Sequence, residues 1–279
     1  MNATDDWYDV SRVVDGTYGI DECDKYGMYL VEGSSRAVLL DTGVGVGALR
    51  GLVDDLVETP VTVVLTHTHW DHIGAASQFD EVVVSPVELP GDGRISVDSI
   101  SDEFAHRPRE FARQWLADDN AFPDDVDPDE YTVEAFEAAP APMADGLPLG
   151  DRTLEFHHLP GHSPGHLGVL DPETRVLYGG DIVHVDHGLY VLFEGSSLDA
   201  YLESVATLRD WRDDGRFDVL VTSHNEPLAG SELSLLDDLL DGLHEIADGE
   251  REYEVVETTW GRAHSYRVGT SNVLTKPTV

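Results

Sequence analysis

Four side chains able to bind a metal fall within six residues in His67-Thr68-His69-Trp70-Asp71-His72. They follow directly on the apolar run Val61-Thr62-Val63-Val64-Leu65-Thr66. A buried strand ending in such a loop brings three imidazoles and a carboxylate to one point on a rigid edge, and metal-assisted hydrolysis needs such a ligand set around its ion. With 13 His among 279 residues, shuffling the chain reproduces this four-position pattern only about once in 300 trials. An accidental His-rich turn is therefore a poor explanation.

Three more pieces of the same kind each follow an apolar strand. Leu159-Pro160-Gly161-His162-Ser163-Pro164-Gly165-His166 comes after Thr153 to His158, Gly179-Gly180-Asp181 ends the strand that begins at Arg175, and His224 ends Val219-Leu220-Val221-Thr222-Ser223. Glycines ahead of the ligand types let the backbone turn sharply and approach closely. A lone His after a strand is more often structural than a ligand, but four pieces at strand ends point one way. His106, His157, His158, His244 and His264 have no such company and read as structural.

The elements that must position these groups are legible as a pattern. Tyr26 to Val31 and Ala37 to Leu40 flank a Glu32-Gly33-Ser34-Ser35 turn as a hairpin, closed by Asp41-Thr42-Gly43. Ala48 to Val57 reads as an amphipathic helix, Val61 to Thr66 as the strand carrying the His-rich loop, Gly74 to Phe79 as a helix start and Glu81 to Ser85 as a short strand. Helices over Ser197 to Trp211 and Leu233 to Ile246 alternate with strands at Arg152 to Leu159, Gly168 to Asp171, Arg175 to Gly179 and Phe217 to Ser223. The tail from Glu252 to Val256, Ser265 to Val268 and Val273 to Thr275 looks extended. This order suggests two sheets with helices outside. Residues 90–145 differ: they hold six prolines and two expected helices, around Phe104 to Leu116 and Asp129 to Ala138. They read either as a packed helical insertion or as a lid over the metal site, and the two are compatible.

Asp41-Thr42-Gly43, His67-x-His69-x-Asp71-His72, Pro160-Gly161-His162-Ser163-Pro164-Gly165-His166, Gly179-Gly180-Asp181 and Ser223-His224 together resemble the metallo-β-lactamase-fold superfamily of hydrolases. The resemblance implies an α/β fold, a four-layer αβ/βα sandwich, here as one domain over 1–279 with a helical insertion at about 90–145. It assigns His67, His69 and His162 to one metal, Asp71, His72 and His224 to a second, and Asp181 as the bridge. It also implies that Asp41 and His166 orient ligand imidazoles. A carboxylate rather than Cys at 181 fits the broad hydrolase branch. The implied cofactor is two zinc ions, with iron or manganese as alternatives.

The residue chemistry agrees: two N/O ligand sets joined by an Asp suit two metals about 3.5–4 Å apart. A metal-bridging hydroxide is the expected nucleophile, since zinc lowers the pKa of bound water to about 7. Asp71 is expected to move a proton as well as bind metal. His184, Asp186 and His187 read as a solvated loop or, for His184, as a catalytic donor to the substrate oxygen. The quorum-signal lactonases of the superfamily carry Tyr three residues after the bridging Asp, where this chain has His184; Tyr190 is the nearby phenol. The expected substrate is a small ester, thioester or lactone. The alternatives are a phosphodiester, or iron-dependent redox chemistry on the same fold.

Composition bounds the rest. A net charge of −38, with 55 acidic residues and only two lysines, Lys25 and Lys276, looks like the surface of a protein from a salt-loving organism. In molar salt the Debye length of about 3 Å screens the self-repulsion. No basic stripe offers a footprint for nucleic acid. No segment approaches the roughly 20 apolar residues of a membrane span. Met1 to Trp7 lacks the regions of a signal peptide, so a cytoplasmic protein is expected. A lone Cys23 excludes an internal disulfide. A small-molecule substrate is expected as partner, and the oligomeric state is left open.

Overall fold

Parallel strands need a crossover, and two of this chain's crossovers join the strands that end in ligand types. A computed structural model describes residues 7–124, 126–186 and 188–277, so His187 lies outside the described residues. The chain divides into two compact units, Met1–Leu154 and Glu155–Val279.

In the first unit, a seven-stranded sheet runs Tyr8–Val14, Thr17–Glu22, Tyr26–Glu32, Ala37–Leu40, Val61–Val64, Val82–Val84 and Ala139–Pro140 in spatial order. The first four strands pair antiparallel and the rest parallel. The helix Leu49–Leu56 makes the crossover from Ala37–Leu40 to Val61–Val64. It buries Leu49 and Val53, one turn apart, and turns Asp54 and Asp55 to solvent. Asp41 and His67 therefore follow the carboxyl ends of two adjacent parallel strands, where open α/β sheets place their ligands.

The insertion forms a helix at Arg107–Ala117, as expected, with Pro108 in its first turn where its missing N–H costs nothing. The expected helix at Asp129 to Ala138 is absent. Tyr131, Val133 and Phe136 are buried while Thr132 and Glu134 are exposed, a largely alternating pattern, and Phe136–Glu137 pairs antiparallel with Arg94–Ile95. Sheet pairing outweighs the helix propensity of Glu134-Ala135-Phe136-Glu137-Ala138. Gly74 to Phe79 likewise yields only a short turn at Ala76–Gln78. Backbone contact explains this: a Cβ on Gly74 would lie 2.0 Å from the Val44 carbonyl carbon.

The strand Thr153–His158 leads into the second unit, where it pairs antiparallel with Leu167–Asp171, which pairs with Val176–Tyr178. Val176–Tyr178 lies parallel to Val219–Thr222, and the helix Leu198–Asp213 lies within that crossover. Asn225–Ala229 closes this sheet. A second sheet orders Gly188–Val191, Ser271–Thr275, Gly261–Val268 and Glu254–Thr258. The helix Leu235–Ala247 buries Leu236, Leu239, Leu240, Leu243 and Ile246 in a core shared with Tyr201, Leu208, Phe217 and Val273. Asp181 and His224 again follow the carboxyl ends of a parallel pair. Among the described residues, no helix is long and apolar enough to cross a membrane.

Candidate metal centre

In the first unit, one buried carboxylate fixes two imidazoles. Asp41 accepts hydrogen bonds from the Thr66 amide at 2.7 Å, the Thr66 hydroxyl at 2.8 Å and His72 Nδ1 at 2.9 Å. Because the Thr66 hydroxyl hydrogen goes to Asp41, its oxygen accepts from His67 Nδ1 at 3.1 Å. Both rings thus carry their proton on Nδ1 and present Nε2 as the unprotonated nitrogen. Asp41 reaches this position through a left-handed backbone (φ 61°), a conformation Asp tolerates better than most residues. The Thr42 amide and hydroxyl both bond the His72 carbonyl, fastening the turn to the loop.

The rest of the loop is held from two sides. Glu88 accepts from the Thr68 amide and hydroxyl at 2.7 and 2.8 Å. The rings of His67 and His69 lie 4.4 Å apart, and those of His67 and His72 4.0 Å. Phe104 of the insertion covers His69 at 4.5 Å, and Phe111 packs on Trp70 at 5.7 Å. Asp71 is half-buried, its Oδ1 4.0 Å from His72 Nε2.

Glu22, which the sequence reading passed over, anchors the neighbouring turn. Fully buried, it accepts from Trp7 Nε1 and from the amides of Val44, Gly45 and Val46. Burial pushes its carboxyl up and the four donors pull it back. Gly43 is required beside it: a Cβ there would meet Glu22 Oε2 at 2.0 Å.

In the second unit, Asp181 is the centre. Its Oδ2 lies 3.6 Å from His162 Nε2, and its Oδ1 lies 3.5 Å from His184 Nε2 and 3.4 Å from His224 Nε2. The Asp181, His184 and His224 donor atoms lie within 4.8 Å of one another. His162 Nδ1 donates to the Tyr190 carbonyl at 2.8 Å and His184 Nδ1 to the Gly188 carbonyl at 2.9 Å, so these rings too present Nε2 unprotonated. A donor role for His184 toward substrate would require the doubly protonated ring. His166 accepts the Asp181 amide on Nε2 at 3.1 Å, so it positions the Asp181 backbone.

The helix Leu198–Asp213 clasps two of these loops. Ser204 donates to the Pro160 carbonyl and Tyr201 to the Ile182 carbonyl, both at 2.6 Å. Gly161 lets the chain pass: a Cβ there would lie 2.4 Å from Tyr201 Cα. The Asn225 side chain bonds the amide and carbonyl of Val185, both at 2.9 Å, tying the His224 loop to the Asp181 loop. Thr66 and Asn225 adjoin the ligand types in sequence, and that adjacency is the signal that would have found them.

The expected residues thus gather as two sets, His67, His69, Asp71 and His72 in one unit and His162, Asp181, His184 and His224 in the other. Buried imidazoles with Nδ1 tied off and carboxylates within 4 Å of Nε2 atoms fit divalent metal ions. Cys23 offers no competing nucleophile, since burial pushes its thiol up. His157 packs edge-on against Trp211 and His264 stacks on Tyr253, both structural as expected.

Comparison with known proteins agrees. The human acyl-coenzyme A thioesterase MBLAC2 is 28% identical over 243 residues, covering 78% of this chain and 81% of its own length. The Gallus gallus protein of the same name is 31% identical over 210 residues, covering 71% of each. Hydroxyacylglutathione hydrolase GloC from Haemophilus influenzae is 29% identical over 150 residues, 53% of this chain and 61% of that one. Among solved structures, a metallo-β-lactamase from Pontibacter korlensis superposes with a TM-score of 0.56 at 19% identity, covering 85% of this chain and 99% of its own. The sec-alkylsulfatase Pisa1 from Pseudomonas sp. superposes at 0.60 and 20% identity, covering 87% of this chain and 42% of its own. These superpositions establish the fold, which is the α/β fold expected from the sequence. The superfamily pattern itself matches residues 28–224. The chain belongs to the metallo-β-lactamase superfamily.

Proposed function

We propose that this hydrolase cleaves acyl thioesters, with residues 1–279 acting as one catalytic domain and two divalent metal ions, zinc in the first instance, as cofactors. His67, His69 and His162 would hold one ion, Asp71, His72 and His224 the other, and Asp181 both. The observation that carries the reading is the shared state of His67, His72 and His162: each is buried and donates from Nδ1 to a fixed acceptor, which leaves Nε2 unprotonated and available to a metal. When bound, such ions supply Lewis acidity and a water whose pKa is lowered to about 7.

The chain's own groups supply the rest. Asp41 and Thr66 keep two imidazoles in one tautomer, so no reorganisation is needed as charge develops. Asp71, the more open of the carboxylates, takes the proton released by the attacking water and passes it to the leaving thiolate. The thioester reading is supported by relatives whose names, acyl-coenzyme A thioesterase and hydroxyacylglutathione hydrolase, share that bond and differ in its thiol carrier. The acidic excess supports adaptation to concentrated salt, and the cytoplasm is the setting proposed for it.

A panel of acyl-coenzyme A, acylglutathione, lactone and phosphodiester substrates, assayed with zinc in molar salt, tests this. Thioesters should be cleaved with the highest kcat/KM, and the better carrier names the physiological thiol. Preferential turnover of a lactone or phosphodiester would refute the thioester assignment.

A further inference from the structure

We propose that His184 is an eighth protein ligand, its Nε2 sharing with Asp181 Oδ1 and His224 Nε2 one of the ions invoked above; the inference rests on that two-metal reading. Hydrogen-bond direction comes first. A carbonyl only accepts, so the 2.9 Å contact to Gly188 places the His184 proton on Nδ1. Nε2 then carries a lone pair, and it is buried with no hydrogen-bond partner among the described residues. It faces Asp181 Oδ1 at 3.5 Å, the ring being only 4% exposed. Two acceptors turned toward each other in a dry site repel unless a cation lies near both.

The distances distinguish which cation. An imidazolium donating to Asp181 would approach to about 2.7–2.9 Å, and 3.5 Å is too long for that bond. Two donor atoms each about 2.0–2.1 Å from a five-coordinate ion lie between about 2.8 Å, at 90°, and about 3.6 Å, at 120°, apart. The contacts of Asp181 Oδ1 with His224 and His184, 3.4 and 3.5 Å, fall within that range. The other oxygen of Asp181 faces His162, so the carboxylate divides its two oxygens between two imidazole groups. The ring is also held in place. Ser271 bonds the His184 carbonyl, Asn225 brackets Val185, and Tyr201 holds the Ile182 carbonyl. A mobile surface histidine would have none of these restraints.

The test measures metal affinity. Apo wild type, His184→Gln and His184→Glu are titrated with zinc against a chromophoric chelator in molar salt, with near-ultraviolet circular dichroism to verify folding. Wild type should bind two ions. His184→Gln should weaken the second by about 100-fold or more, beyond the usual effect of a residue that merely orients a ligand. His184→Glu, which offers a carboxylate ligand, should recover most of that loss. Second-ion affinity within about tenfold of wild type in His184→Gln, or a still weaker ion in His184→Glu, would overturn the assignment while leaving the two-metal reading intact. Fewer than two ions in wild type would overturn both. Should both variants unfold, a crystal structure of zinc-loaded wild type decides: Nε2 at about 2.0–2.1 Å from an ion supports the assignment, and a ring turned away refutes it.

Discussion

Asp41 takes three buried hydrogen bonds, so its removal strands three donors at once. Asp41→Ala should cost about 3 kcal/mol or more of unfolding free energy. It should also weaken zinc binding by about 10–100-fold, because His72 and, through Thr66, His67 lose their orientation. Denaturant melts and metal titration check the two effects separately; unchanged affinity would show that the rings are held by other means. Asp71 calls for the opposite outcome. Its side chain is 20% exposed and approaches His72 only to 4.0 Å, so Asp71→Asn should leave the thermal midpoint nearly unchanged. Turnover should fall by about 100-fold or more, the usual loss of a positioned acid–base group. Full activity in Asp71→Asn would remove it from the proton path.

At the level of elements, two glycines should behave oppositely. Gly161→Ala drives a Cβ to 2.4 Å from the Tyr201 backbone at a φ of 144°, so we expect a loss above about 3 kcal/mol together with reduced metal content from a displaced His162. Gly51 lies in the helix Leu49–Leu56 with nothing within 4 Å of its would-be Cβ, and Gly51→Ala should stabilise by about 0.5–1 kcal/mol. Chemical denaturation of both reads the contrast. The strands and helices that carry ligand types were legible because each is an apolar run ended by Gly, Asp or His. The hairpin Tyr8–Val14 and Thr17–Glu22 was not: the first strand is largely exposed along its middle, and the second ends in a buried charge that no periodicity announces. The segment from 129 to 138 misled because helix-forming residues there pair as a strand. The ligand types were legible from spacing, whereas Glu22, Tyr201 and Ser204, which position the loops, act through contacts distant in sequence, and Asn225 is marked only by its place beside His224.

Across the whole molecule the charge balance dominates, since 17 basic residues face 55 acidic ones. Many arginines already engage nearby acids, as Arg212 does with Asp213 and Asp237 and Arg50 with Asp54 and Asp80. The unpaired excess is therefore carboxylate, and its repulsion falls as salt shortens the Debye length from about 10 Å at 0.1 M to about 3 Å at 1 M. The thermal midpoint should rise by about 10 °C or more between 0.1 and 2 M potassium chloride. A midpoint independent of salt would separate the acidity from stability. The joint action of the imidazole sets is tested most directly by measuring thioester hydrolysis while zinc is added stepwise to apo protein in molar salt. The rate should climb to a plateau at two equivalents per chain. A plateau at one equivalent would contradict a two-metal hydrolase.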